Sequence, residues 1–200
     1  NNNEVIDACI VGEPTNPDYL GQMIKIGRRG SFTGWLTVTG VQGHTAYPHL
    51  AENPLSKLVK MLEPLAEEQL DQGTEYFPPT TAAISSIDTG NSASNVIPQK
   101  VTASFNIRFN DSRTAEDIEK WLRAHFDSVG GNYTLETACS SNAFITEPGA
   151  LSDDLVSAVK AVVGTQPEMS TTGGTSDARF IRKFCPVVEF GVVGKTMHKL

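Results

Sequence analysis

From Ser31 to Thr39 the chain alternates, with Phe32, Gly34, Leu36 and Val38 on one side and Ser31, Thr33, Trp35, Thr37 and Thr39 on the other. A period of two fits a strand with two unlike faces and fits no helix. Gly40 and Gly43 end the run. The next segment changes period. Asn53-Pro54 is an N-cap followed by a first-turn proline, after which Leu55, Leu58, Val59 and Leu62 recur as a helix's buried stripe, with Pro64 expected to kink or interrupt it. Thr80 to Asp88 and Val101 to Asn110 read as strands around the turn-rich stretch from Thr89 to Asn95. Thr114 and Asp117 form a capping-box pattern with Asp in place of the usual Glu, and Ile118, Trp121, Leu122, Phe126 and Val129 make one apolar helical face. Gly130-Gly131 stops that helix, and Tyr133 to Cys139 reads as a strand.

The order strand, helix, strand, strand, helix, strand over residues 30–141 is that of a ferredoxin-like α+β sandwich. The flanks, 1–29 and 142–200, alternate strands (residues 4–12 and 20–28) with helices (Leu151 to Val163 and Ser176 to Phe184), as pieces of a separate α/β domain into which the sandwich is inserted. The chain begins without Met and stops at Met197-His198-Lys199-Leu200 after a strand-like run, so a fragment is expected.

Composition narrows the partners. Sixteen Lys+Arg against 23 Asp+Glu give a net charge of −7, so there is no overall basic field to hold nucleic acid or an anionic membrane, and neither is expected. No apolar run approaches the ~20 residues that cross a bilayer. Cys9, Cys139 and Cys185 lie far apart without a Cys-x-x-Cys pair, which argues against a disulfide framework or a cysteine zinc site and favours a cytoplasmic setting; Cys9 and Cys185 sit in apolar runs as small hydrophobes.

Four histidines occur: His44, His49, His125 and His198. His44 lies in a Gly- and Pro-rich loop from Gly40 to Pro54, where it reads equally as a ligand contact or as a surface or capping histidine. His125-Phe-Asp127 has the letters of a metal motif but sits on the helix after Thr114, and Glu67-Glu68 reads as a solvated helix end.

Six motifs in order carry a resemblance over essentially the whole chain. They are Cys9-Ile-Val-Gly-Glu-Pro-Thr15, Gly27-Arg-Arg-Gly-Ser31, the loop Gly43-His-Thr-Ala-Tyr-Pro-His-Leu-Ala-Glu-Asn-Pro54, Ser94-Asn-Val-Ile-Pro98, Asn106-Ile-Arg-Phe109 and Thr171-Thr-Gly-Gly-Thr-Ser-Asp177. In this arrangement the chain resembles the bacterial succinyl-diaminopimelate desuccinylases, of the dinuclear-zinc aminoacylase and carboxypeptidase superfamily.

The resemblance implies a zinc-peptidase-like catalytic α/β domain carrying an inserted dimerisation and lid domain, with two zinc ions per subunit, or cobalt in their place. Glu13 and His198 fall on metal-ligand positions; the family's other ligands and its general-base Glu precede Gly-Glu-Pro, and only twelve residues precede Glu13 here, so the site in this chain is expected to be incomplete. The implied substrate, N-succinyl-LL-diaminopimelate, carries three carboxylates, and Arg28, Ser31, Tyr47, Asn95, Arg108, Gly174 and Thr175 fall on contact positions, while Arg29 reads as structural. Gly173-Gly174-Thr175 before a helix would form either an anion nest or a plain helix cap. Ser94-Asn95 stands where the family commonly has Asn-Asn, so in place of one amide contact there is a serine, shorter but still able to donate a hydrogen bond. His44 is implied to meet the oxyanion of the partner subunit's substrate across a homodimer built on residues 30–141. Two other readings stay open: a related deacylase such as acetylornithine deacetylase, separated by the carboxylate clamps Arg28 and Arg108, and a non-catalytic dimerisation and ligand-binding module.

Overall fold

The structure is a computed structural model that describes residues 5–67 and 69–195. Along the chain come β1 (Cys9–Val11), β2 (Met23–Lys25), β3 (Gly27–Arg28), β4 (Gly30–Thr39), β5 (Gly43–His44), α1 (Pro54–Ala66), β6 (Thr81–Asp88), β7 (Val96–Ile97), β8 (Lys100–Phe109), α2 (Ala115–Val129), β9 (Asn132–Ser141), β10 (Phe144–Ile145), α3 (Ala150–Val163), β11 (Glu168–Ser170), α4 (Ala178–Ile181) and β12 (Val187–Glu189). They form two compact units. One holds Gly30–Thr74 and Pro79–Asn142; the other holds the chain up to Arg29, the segment Glu75–Pro78 and the chain from Ala143 on.

The first unit is a four-stranded antiparallel sheet in the order β6-β8-β4-β9. This is the ferredoxin-like order, with β8 returning between β4 and β6. The alternation in β4 sorts its faces: Phe32, Leu36 and Val38 are buried with Val101, Phe105, Ile107 and Phe109 of β8 beneath α1 and α2, while Trp35 stays half exposed on the opposite face. Gly34 sits opposite Phe105 in the register, where an added Cβ would collide with the Phe105 ring.

Both helices start as their caps dictate: Asn53 Oδ1 accepts the Leu55 N–H at 3.0 Å, and Thr114 Oγ1 accepts the Asp117 N–H at 3.2 Å while Asp117 Oδ2 accepts the Thr114 N–H at 3.0 Å. Two details of α1 differ from the sequence pattern. Pro64 does not interrupt it: the Lys60 carbonyl, which proline leaves without its helical donor, lies 3.1 Å from His125 Nε2, and the helix runs on to Ala66. Val59 is 65% exposed, and Met61 and Leu65 are buried in its stead with Leu58 and Leu62. The stripe follows the side of the helix that meets the sheet.

Asp71 ties together the segment between α1 and β6. Its Oδ1 accepts the Gly73 and Thr80 N–H groups at 2.9 Å each and the Asn110 amide at 2.8 Å. Burial alone would raise the carboxyl's pKa, but the hydrogen bonds from Thr80, Gly73 and Asn110 outweigh it and hold the group below its usual 3.8. A carboxyl depressed in the folded state adds stability above its unfolded value and loses that stability as pH falls through its folded value. Asp71→Ala is therefore expected to cost about 2 kcal/mol at neutral pH, read by urea unfolding, with the gap to the parent closing in acid. A constant gap down to pH 2 would contradict this account.

The second unit has a sheet in the order β1-β12-β2-β11, with β1 parallel to β12, β2 parallel to β11, and β12 antiparallel to β2. Leu151, Leu155 and Val156 of α3 pack on buried Ile24, Ile26 and Val188. Glu75–Pro78 joins this unit, and the Thr171 hydroxyl donates to the Tyr76 carbonyl at 2.7 Å. The helix expected over Ser176 to Phe184 is a correction: only the single turn Ala178–Ile181 forms. Pro186 disfavours helix at the residue before it, and the chain must straighten there to enter β12, leaving Phe184 80% exposed. No helix among the described residues is long and apolar enough to cross a membrane.

Candidate anion cleft and histidine loop

Strand register assembles the cleft. Lys25 ends β2 between two neighbours: Ser170 of β11 is its partner on one side and Glu189 of β12 on the other. Lys25 Nζ donates to Ser170 Oγ at 3.2 Å and to Thr172 Oγ1 at 2.6 Å, and lies 2.7 Å from Met23 Sδ. Arg28, on β3, turns its Nε to both Glu189 oxygens at 3.1 and 3.0 Å, its Nη2 to Glu189 Oε2, and its Nη1 to the Thr172 carbonyl at 3.1 Å. Ser176 Oγ also donates to Glu189. Thr172 is thus held through its hydroxyl by Lys25 and through its carbonyl by Arg28. Gly173 follows at φ +101°, and a Cβ there would strike the Arg28 guanidinium, so the loop needs glycine on both counts.

Of these residues Lys25, Arg28, Thr172 and Gly173 border a cleft of about 630 Å³ whose walls also include Glu13, Asn16, Gly174 and Thr175, a size ordinary for small-molecule sites. Asn16 is buried and fixes one wall, donating from Nδ2 to the Gly191 carbonyl at 2.6 Å and accepting the Met23 N–H at 2.8 Å. Gly174 and Thr175 are exposed at the rim. A helix dipole behind them is not available, because α4 is one turn, and the cations of the cleft are the side chains of Lys25 and Arg28.

Of the residues singled out in the sequence, Glu13, Arg28, Gly174 and Thr175 meet at this cleft. Arg28 was expected to face a ligand carboxylate, yet it is 7% exposed and much of its donor capacity goes to Glu189 and Thr172. Lys25 and Glu189 were missed. The signal for Lys25 was a lone charge in the apolar run Met23-Ile-Lys-Ile26; for Glu189 it was an acid inside Val187-Val-Glu-Phe190.

The other candidates lie in the sandwich unit. His44, Tyr47 and Asn95 share one flap, where β5 pairs with β7 and the Thr45 N–H donates to the Asn95 carbonyl at 3.0 Å. All three side chains are exposed, and the His44 and Tyr47 rings lie 5.9 Å apart. His44 Nδ1 accepts the Ala46 N–H at 3.0 Å, so in the neutral ring the proton sits on Nε2, which is left as a donor. Ser31 and Arg108 are cross-strand partners on β4 and β8; Ser31 is buried, with its Oγ accepting from the Asn106 amide at 3.2 Å, and Arg108 is half-buried.

A metal site was expected to be incomplete here. Glu13 contributes one half-buried carboxylate, His198 lies outside the described residues, and no group of three or more His, Cys, Asp or Glu able to hold a metal ion occurs among the described residues. One carboxylate does not fit a two-ion centre. His125 is an exposed α2 residue whose Nε2 lies 3.1 Å from the Lys60 carbonyl.

The family model of the M20 peptidase dimerisation domain matches residues 26–134. The chain belongs to this M20 family. Among curated relatives, it is 60% identical over 197 residues to a succinyl-diaminopimelate desuccinylase of Rhodospirillum centenum, and 55% identical over 201 residues to one of Parvibaculum lavamentivorans. Each alignment takes in 98% of this chain and 51% of the relative, so the chain spans about half the length of the curated relatives it matches. Of the solved structures, an M20 family metallo-carboxypeptidase of Sulfolobus solfataricus superposes with a TM-score of 0.71 at 16% identity, covering 92% of this chain and 55% of that one. An amidase of the hydantoinase/carbamoylase family from Burkholderia multivorans gives 0.72 at 16% identity, covering 94% and 48%. At that identity these two establish the M20 fold alone.

Proposed function

We propose that this chain is the substrate-binding and dimerisation portion of a metal-dependent desuccinylase that hydrolyses N-succinyl-LL-diaminopimelate to succinate and LL-diaminopimelate in the cytoplasm. The observation that carries the reading is the 60% identity to a succinyl-diaminopimelate desuccinylase across 98% of the chain, together with a cleft in which Arg28, Lys25 and the Gly173–Thr175 turn converge. The proposed assembly is a homodimer through the sandwich unit, and its ligand is a small tricarboxylate. In this scheme Glu13 is one donor to a two-ion centre whose others, His198 among them, lie outside the described residues; oxygen and imidazole donors suit zinc, or cobalt in its place.

The chain's own part in the reaction is binding and charge stabilisation. Carboxylates of the substrate are taken up by Arg108, by the Arg28 N–H groups that Glu189 and Thr172 do not engage, and by the N–H groups of Gly174 and Thr175, with Ser31, Tyr47 and Asn95 as further polar contacts. As water adds to the succinyl amide carbonyl, negative charge grows on its oxygen. The Nε2–H of His44, supplied by the partner subunit, donates to that oxygen. Breaking the C–N bond then releases the amine, which takes up a proton, and the succinate carboxylate.

The test is kcat/KM of the complete enzyme on N-succinyl-LL-diaminopimelate against N-acetylornithine. Preference for the succinyl substrate by a factor of ten or more is expected. Preference for the acetyl substrate would move the protein to the deacetylase branch, and activity on neither would leave a binding module.

A further inference from the structure

The charged side chains that are buried among the described residues are Lys25, Arg28 and Glu189, at 5%, 7% and 1% exposure; Lys25 and Arg28 line the cleft of the flanking unit, and Glu189 is bonded to Arg28 and is the cross-strand neighbour of Lys25. Glu189 is committed to Arg28 through a two-pronged ion pair. Two cations against one anion leave one buried positive charge without a partner, and that charge is the Lys25 ammonium. A buried charge without a counter-ion is costly: the group gives up its proton more readily, and it holds its charge best where something outside the fold balances it.

We infer that Lys25 is the specificity-determining cation of this cleft, and that it draws in and holds a substrate carboxylate beside the Gly173–Thr175 turn. The inference rests on the proposed function only in naming the carboxylate's carrier. Lys25 lines the cleft, and one of the three contacts of its ammonium is replaceable by such a ligand. Two of its contacts are hydroxyls, those of Ser170 and Thr172, and the third is the Met23 thioether, a weak acceptor that a carboxylate oxygen would displace. Lys25 is also not needed to satisfy the hydroxyls, since Ser170 and Thr172 hydrogen-bond each other at 2.9 Å. Its pKa agrees: burial first, and the Arg28 charge second, pull it down to about 8 against the smaller opposing pulls of Glu189 and Glu168. Glu168 is exposed and solvent-screened, and Glu13, the acid that lines the cleft, is half-buried and is not among the charges that act on Lys25.

A structural lysine and a ligand-binding lysine predict opposite effects on stability. Lys25→Met keeps the length of the stem, removes the unbalanced charge and leaves the two hydroxyls paired. In the full 200-residue chain it is expected to leave the Tm unchanged or raised. It is also expected to weaken binding of succinate, of LL-diaminopimelate, or of both by tenfold or more in calorimetric titrations. The two titrations separate the substrate's succinyl carboxylate from its amino-acid carboxylates. Affinities for both ligands within twofold of the parent, or a parent that binds neither, would overturn the inference. So would a Lys25→Met protein that melts several degrees lower or does not fold, since that marks a structural staple. Activity is not part of the readout: binding through Lys25 in a chain whose complete enzyme leaves N-succinyl-LL-diaminopimelate intact would keep this inference and sink the proposed function.

Discussion

Glu189→Ala should unfold in urea with about 3–5 kcal/mol less stability than the parent, the usual cost of removing one partner from a buried ion pair. The reason is local. Glu189 is 1% exposed and receives Arg28 Nε on both oxygens, Arg28 Nη2 and the Ser176 hydroxyl. Without it, two buried cations face each other with no anion between them, because Lys25 is the cross-strand neighbour of Glu189. Removing Arg28 and Glu189 together, as Arg28→Met with Glu189→Leu, should recover more than half of the loss, since apolar side chains of similar volume replace a buried pair at little cost. A single-variant loss below ~1 kcal/mol would mean that water enters this cluster and screens it. The double variant should still lose ligand affinity, because Arg28 also holds the Thr172 carbonyl and backs the Gly173 turn.

His44→Ala in the complete enzyme should lower kcat by a factor of about 10² to 10³ with little change in KM, the effect of deleting one oxyanion donor. The flap geometry supplies the reason for this split. With Nδ1 engaged by the Ala46 N–H, the ring offers Nε2–H as a fixed donor, which gains its full strength only when the oxygen carries charge. His44→Gln, which can also present an N–H, should retain part of the rate. Donation between subunits makes a further expectation: mixing His44→Ala subunits with Glu13→Gln subunits should restore activity, because a hybrid dimer keeps one intact site fed by an intact histidine. No recovery on mixing, or a kcat unchanged by the alanine, would remove His44 from the oxyanion.

Elements governed by contacts within a few residues were legible in advance. The inward face of β4 is spelled by Phe32, Leu36 and Val38, and α2 begins at the Thr114–Asp117 box and ends where Gly130 takes φ +74°. The sandwich order followed from those local signals and the alternation of their periods. The rule failed where a tertiary partner set the outcome. Val59 faces outward because the sheet meets α1 along Leu58, Met61, Leu62 and Leu65, and the segment after Ser176 makes a single turn because it must straighten into β12.

The candidate site divides in the same way. Glu13, Arg28, Gly174 and Thr175 were visible as motifs, and the cleft gathers them. Their electrostatic roles were not visible, because those depend on pairings across 161 residues for Arg28 with Glu189 and 145 for Lys25 with Ser170. Sequence by itself determined which stretches become strands and helices and which loops carry glycine and charge, since backbone sterics and side-chain period act locally. Only the tertiary structure decided which buried cation is neutralised and which is left for a ligand, since the balance of charge in a low-dielectric interior is set by neighbours that the chain brings together from its two ends.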